Sequence, residues 1–492
     1  MGISVARGLA AERLDLAATG DGPSALVTSP GLAGSVAADH PEAGAAQSGP
    51  LSAPDPALLK TIDWGTKVSD PMHLTVYFAA QGEKVDGVSS LGWNAYEKQQ
   101  VMLAFEQFSN VCNVDVEITT SRSTADFRIA TGKMNDGTLG WFNPPGESGA
   151  GSGVMIRNGY GWDEGGQGGL EQGGYGFITL IHEFGHGFGL AHPHDRGGTS
   201  TILQGVSGPF GDYGAFDLNQ GVFTTMSYND GWVSHTGENP SAVYGYQATM
   251  MALDVAVLQQ KYGANTDFHS GNDIYVLSGA NAPGALYACL WDTGGKDSIV
   301  YGGNKSCSID LRAATLDYSA TGGGVVSYVN GIFGGYTIAN GVAIEKASAG
   351  NGHDTIVGNG ASNKLLGGGG NDTITGGAGR DVLTGGAGED VFRFDVFEAR
   401  SKAIDIVRDF DEAQDVVDLS ALDADSTTAG RQAFHFAPGS GFSGEAGEVF
   451  TVIESGGDVA RIMLDVNGDA VSDMEILLQG YGGGAINFDL TV

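Results

Sequence analysis

A chain of 492 residues is too long to fold around one hydrophobic core, so two or three domains are expected. The formal charge of −34, from 58 acidic against 24 basic residues, argues against nucleic acid and membrane insertion and for divalent cations that relieve crowded carboxylates. The 3 cysteines, Cys112, Cys289 and Cys307, make no disulfide framework, and no run reaches the ~18–20 apolar residues of a membrane span.

Residues 1–60 are rich in Ala, Gly, Ser and Pro and read as a weakly folded extension. Met1 to Gly20 carries Arg7, Glu12, Arg13 and Asp15 without a continuous apolar core, so no N-terminal export signal is expected. The composition changes near Thr61. His73 to Phe78 reads as a strand, with β-branched and aromatic residues together. Trp93 to Ser109 shows helical spacing, and Val114–Thr119 and Ala125–Ala130 read as further strands. Gly137 to Asn143, with Leu139, Trp141 and Phe142, predicts another strand. Gly146 to Gly176 is a glycine-rich loop holding a strand at Val154–Ile156.

A helix follows over Phe177–Phe188, and it carries the chemistry. His182 and His186 are four residues apart, so they stack on one helical face and hold one side of a tetrahedral zinc ion. Glu183 leans over the same site, placed to take a proton from water. Gly189 tolerates the left-handed conformation that ends a helix. The resulting bend returns His192 as a third ligand. Three protein ligands leave one position for water, the open coordination of a catalytic zinc. Of the 10 histidines in the chain, His182, His186, His192 and His194 crowd into this one stretch, which argues against coincidence. His194 falls outside the ligand spacing and reads as a loop residue.

This stretch resembles the extended zinc signature of the metzincins. Such proteins place a methionine turn beneath the metal, and Thr224-Thr225-Met226-Ser227-Tyr228 fits it. Met-Ser-Tyr is similar to the serralysin branch, which implies that the Tyr228 hydroxyl reaches the zinc. Ala248 to Tyr262 resembles the last helix of a serralysin catalytic domain, with Gly263 as its stop and a boundary near Asn265.

Beyond Ala349 a nine-residue period begins, with apolar Ile356, Leu365, Ile374, Leu383 and Phe392 in register. It is similar to the calcium-binding nonapeptide repeat of RTX proteins. Glycines permit tight turns whose carbonyls face an ion, and the acidic position supplies charge. The resemblance implies calcium at Gly350, Gly352 and Asp354; at Asn359, Ala361 and Asn363 of a degenerate copy; at Gly367, Gly368, Gly370 and Asp372; at Gly376, Gly377, Gly379 and Asp381; and at Gly385, Gly386, Gly388 and Asp390. Two accessory sites are implied ahead of the repeats. One joins His269, Gly271 and Asp273 to Asp292, Gly294 and Asp297, with only the His269 carbonyl needed. The other uses Ala343 and Glu345.

Taken together, the resemblance implies an α+β metzincin catalytic domain (mixed sheet plus helices) over 61–265 and an all-β parallel β-roll over 266–492. It implies a secreted zinc endopeptidase, extracellular and monomeric, with one zinc, several calcium ions and a broad range of protein or peptide substrates. The strand at Gly137–Asn143 would pair with an extended substrate. Residues 1–60 become a propeptide, with Asp39 or His40 as contacts to the zinc. The ending Asn487-Phe488-Asp489-Leu490-Thr491-Val492 resembles an uncleaved signal read by a type I secretion apparatus. A proteinaceous inhibitor is a further expected partner. The rival reading is a non-catalytic, calcium-dependent adhesin or surface-layer module, against which the intact Glu183 speaks.

Overall fold

The computed structural model describes residues 53–397 and 404–491. The expected latency contacts, Asp39 and His40, lie outside the described residues. One boundary changes. The sequence pattern assigns residues 53–60 to the extension, yet Pro56–Leu59 forms a short helix with Leu58 and Leu59 in the core. Two adjacent leucines, in a segment otherwise poor in large apolar residues, anchor it.

The first half is a mixed sheet with three longer helices. Its elements are β1 (Leu74–Phe78), α1 (Ala95–Val111), β2 (Val116–Ile118), β3 (Phe127–Gly132), β4 (Gly140–Phe142), β5 (Ser152–Ile156), α2 (Tyr175–Gly187) and α3 (Ala252–Tyr262). The sheet order is β2-β1-β3-β5-β4, parallel except for β4, which is antiparallel and outermost. Helix α1 starts where Asn94 and Glu97 exchange capping bonds: Asn94 Oδ1 accepts from Glu97 N at 2.8 Å, and Glu97 Oε2 accepts from Asn94 N at 2.9 Å. Buried Phe105 of α1 stacks on Phe184 of α2, with ring centroids 4.0 Å apart, and Phe108 stacks on Phe188 at 4.5 Å. Every residue of α2 is buried, as an all-round apolar helix requires.

The second half is β-sheet. A ten-stranded and a nine-stranded sheet are formed, and consecutive repeats supply strands to them alternately. Ile309, Ile356, Ile374, Phe392 and Val417 stack in one sheet, and Ala347, Leu365, Leu383 and Val407 in the other. The repeat residues Ile356, Leu365, Ile374, Leu383 and Phe392 are all fully buried. Thr355 pairs with Thr373 and Lys364 with Val382, so one full coil takes 18 residues and each nonapeptide is half of it.

The sequence pattern predicts a parallel roll, and the structure corrects this at both flanks. Cys307–Asp310, Ser327–Val329 and Gly335–Ile338 pair antiparallel, and so do Glu448–Ile453, Val459–Asp465 and Met474–Gln479. These flanks lack the nine-residue period, and the short links after Val329, Ile453 and Asp465 favour antiparallel pairing. A single buried cluster runs from Leu58 to Tyr481, so both halves share one core. No helix among the described residues is long and apolar enough to cross a membrane.

Truncating one rung of the stack tests this packing. Leu383→Ala should cost about 2–5 kcal/mol, read as a lower urea midpoint with calcium present. Thr384→Ala, on the half-buried outer face, should stay within about 0.5 kcal/mol.

Candidate metal centre

Helix α2 and the bend after it bring the three predicted ligands together. The backbone N–H groups of Phe188, Gly189 and Leu190 bond back to Phe184, His186 and Gly185. Gly189 sits at φ +83°, and a side chain there would collide with Thr66 O. The chain thus turns back, and His192 Nε2 lies 3.2 Å from His182 Nε2 and 2.9 Å from His186 Nε2. All three residues are buried.

Their other ring nitrogens are engaged outward. His182 Nδ1 donates to Thr225 O at 2.7 Å, and His186 Nδ1 to Leu190 O at 3.1 Å. A carbonyl only accepts, so the protons sit on Nδ1 and the Nε2 lone pairs face inward. His192 Nδ1 does the same with Asp195 Oδ2 at 3.0 Å. Burial, then the neighbouring His186 and His182, push the His192 pKa well below its ordinary value, which keeps that ring neutral. Three inward lone pairs this close repel one another, and a shared cation removes the repulsion. The donor set, three neutral imidazole nitrogens fixed from behind, fits zinc.

The turn after residue 223 holds this arrangement from below. Buried Asp254 accepts from Thr224 Oγ1 and Thr225 N at 2.6 Å and from Met251 N at 3.0 Å. It thereby fixes the Thr225 carbonyl that orients His182. Met226 lies fully buried against α2, and a Cβ on Gly185 would stand 2.8 Å from its sulfur. Glu183 is fully buried next to β4; a Cβ on Gly140 would lie 3.3 Å from Glu183 Oε1. The Tyr228 ring packs against His182 and His192, with centroids 5.8 and 4.8 Å away. Sequence reasoning missed three residues here. Asp195 carries no spacing signal. Asp254 is distant in sequence. His194, which reads as a loop residue, stacks on His192 with centroids 4.8 Å apart.

Comparison with known proteins identifies the family. Residues 259–490 match the family described as Peptidase M10 serralysin C terminal. The metallopeptidase AprA of Pseudomonas marginalis is 34% identical over 416 residues, covering 80% of each chain. Serralysin A of Dickeya chrysanthemi is 31% identical over 408 residues, covering 79% of this chain and 78% of the relative. The chain belongs to the serralysin family. In this serralysin the match extends through the acidic roll, whose turns hold the predicted calcium residues.

There the glycines meet backbone. A Cβ on Gly368, Gly370, Gly386 or Gly388 would run into the carbonyl of Gly350, Gly352, Gly368 or Gly370, one coil earlier. Gly377 and Gly379 abut Asn359 O and Ala361 O in the same way. Gly367, Gly376 and Gly385 abut the Oδ2 atoms of Asp372, Asp381 and Asp390. Carbonyl and carboxylate oxygens therefore converge in each turn. The other carboxylate oxygens form a ladder: Asp372 Oδ1 accepts from Asp354 N at 2.8 Å and Asp390 Oδ1 from Asp372 N at 2.9 Å. Asp354 itself accepts from Cys307 N and Gly350 N. Asp372 Oδ2 is buried without a hydrogen-bond donor, and burial raises the Asp372 carboxyl to about 7. A buried carboxylate oxygen lacking a donor fits a calcium ion.

The degenerate copy fits less well. Asn363 Oδ1 accepts from Asn359 N, while the Asn359 side-chain amide donates to Ile344 O at 2.8 Å and Leu311 O at 3.1 Å. Ala343 lines a cleft with Asn359 and Ala361. Ahead of the repeats, Glu345 Oε2 accepts from Asp297 N at 2.9 Å, and Asp297 Oδ1 from Asp273 N at 2.7 Å. Asp297 Oδ2 is buried without a donor, and burial lifts that carboxyl to about 7. His269, Asp273 and Asp292 bring one ligand atom each within 4.8 Å of the others, so the His269 ring is close enough to join the site beside its carbonyl. Gly294 N donates to Asp292 Oδ1, and Gly271 O lies against Gly295. The ladder also runs on to Asp405, Asp409 and Asp415, which carry no repeat signal in the sequence.

Replacing Asp195 by Ala should release His192 from behind and lower the affinity for zinc about 10–100-fold, read by competition with a chelator. Removing calcium with EGTA should erase the β-sheet signal of the roll in circular dichroism. An unchanged spectrum would remove calcium from the account of these turns.

Proposed function

We propose that this serralysin is a secreted zinc endopeptidase that hydrolyses peptide bonds in proteins over a broad sequence range. The observation that carries the reading is the convergence of three imidazole nitrogens with the Glu183 carboxylate beside the outermost strand β4. In this reading the catalytic part runs from about residue 53 to 265, and the calcium-binding roll fills 266–492.

An extended peptide adds to the free side of β4 through backbone hydrogen bonds, which read little sequence. Its scissile carbonyl then lies over His182, His186 and His192. Zinc bound by these three residues would supply Lewis acidity to that carbonyl and to the attacking water. Glu183 takes the water's proton as the carbon–oxygen bond forms. It returns that proton to the amide nitrogen as the carbon–nitrogen bond breaks, which leaves an amine and a carboxylic acid, and the acid's proton passes to the amine to give carboxylate and ammonium. The Tyr228 hydroxyl donates to the oxyanion of the tetrahedral intermediate. Thr225, Leu190 and Asp195 keep the three imidazoles in the tautomer this requires.

Calcium bound between successive coils relieves the charge gathered in the roll. The C-terminal strand, Asn487–Asp489, sits at the margin of the nine-stranded sheet, which suits a segment read by a type I secretion apparatus. The relatives' names, metallopeptidase and serralysin, support the same activity.

Glu183→Gln decides the matter. The variant should keep its zinc by elemental analysis and lose about 10²–10⁴ in kcat on casein or a quenched fluorescent peptide. Wild-type turnover in that variant would end the assignment.

A further inference from the structure

We propose that His194 is a positioning residue for Tyr228: its buried imidazole, packed against both the His192 and the Tyr228 rings, holds the phenol over the three-imidazole centre. The inference rests on the reading of Tyr228 as the oxyanion donor.

The rings of His182, His192, His194 and Phe210 pack around Tyr228. His194 is the nearest of these, with centroids 4.4 Å apart, against 5.5 Å for Phe210. It also lies almost parallel to His192, at 11° and 4.8 Å. His192 and Tyr228 also touch directly, at 4.8 Å, so the three rings close a triangle in which His194 braces Tyr228 from a second side. Its surroundings hold it in place. Its side chain is 7% exposed, and the carbonyl of Pro193 before it accepts from Leu203 N at 2.8 Å. Phe210 is half exposed, and it is tied to the residue after Tyr228 by Gly211 N donating to Asn229 Oδ1 at 2.7 Å. His194 Nε2 stands 3.9 Å from Asp195 Oδ2, beyond hydrogen-bond reach, and its ring packs against His192 and Tyr228.

The test compares His194→Ala, His194→Phe and His194→Gln in the calcium-loaded full chain. The Ala variant should keep its zinc and a KM near the parent's, while kcat falls roughly tenfold from the lost ring contacts. Phe should restore most of the rate and Gln should not. A second readout is independent of turnover. With copper(II) in place of zinc, phenolate bonded to the metal absorbs in the visible. That band should weaken in Ala and persist in Phe. The proposal is overturned if Ala retains both the rate and the band, if Gln rescues where Phe fails, or if Ala loses its zinc. Failure of the peptidase reading is seen separately, in the Glu183→Gln comparison.

Discussion

Like lone pairs do not gather without a cause. The ε nitrogens of three imidazoles approach to 2.9 and 3.2 Å here, and their δ nitrogens are committed elsewhere. Each commitment comes from a different part of the chain: the turn at Thr225, the bend at Leu190 and the loop at Asp195. Much of the first half serves those three partners. Asp254 fixes the turn, Gly189 allows the bend, and the stack of Phe105, Phe184, Phe108 and Phe188 seats the helix. The centre is built from its supports inward.

The roll solves the opposite electrostatic problem. A chain of net charge −34 folds many of its acids inward rather than displaying them all to solvent. Asp372 and Asp390 divide their two oxygens between tasks. One accepts the amide of the aspartate a coil earlier, which sets the register. The other faces the turn, where burial penalises its charge. Asp297 and Glu345 continue this division ahead of the repeats. One hydrophobic cluster spans both halves, so the roll packs against the part of the chain that carries the histidines.

What was legible in the sequence was whatever had a fixed spacing. His182, His186 and His192 follow from helix geometry and one glycine, and the apolar rungs from Ile356 to Phe392 follow from a period. The pattern over Ala248–Tyr262 and Gly137–Asn143 gave a helix and a strand, which the structure trims to Ala252–Tyr262 and Gly140–Phe142. What stayed hidden has no spacing to betray it. Asp254 reaches a turn 30 residues away through three-dimensional folding. Asp405 and Asp415 extend the ladder across separations of 24 and 25 residues instead of 18, because the connecting segment is longer. Leu58 and Leu59 were submerged in the composition of their neighbours.

The coil of 18 residues places a rule on how such a roll changes length. A single nonapeptide gained or lost would send every later strand to the opposite sheet, and the meander ending in Met474–Gln479 would arrive on the wrong side of the roll. Only paired copies leave the downstream architecture where it was. Growth or shrinkage of this module is therefore quantised in whole coils.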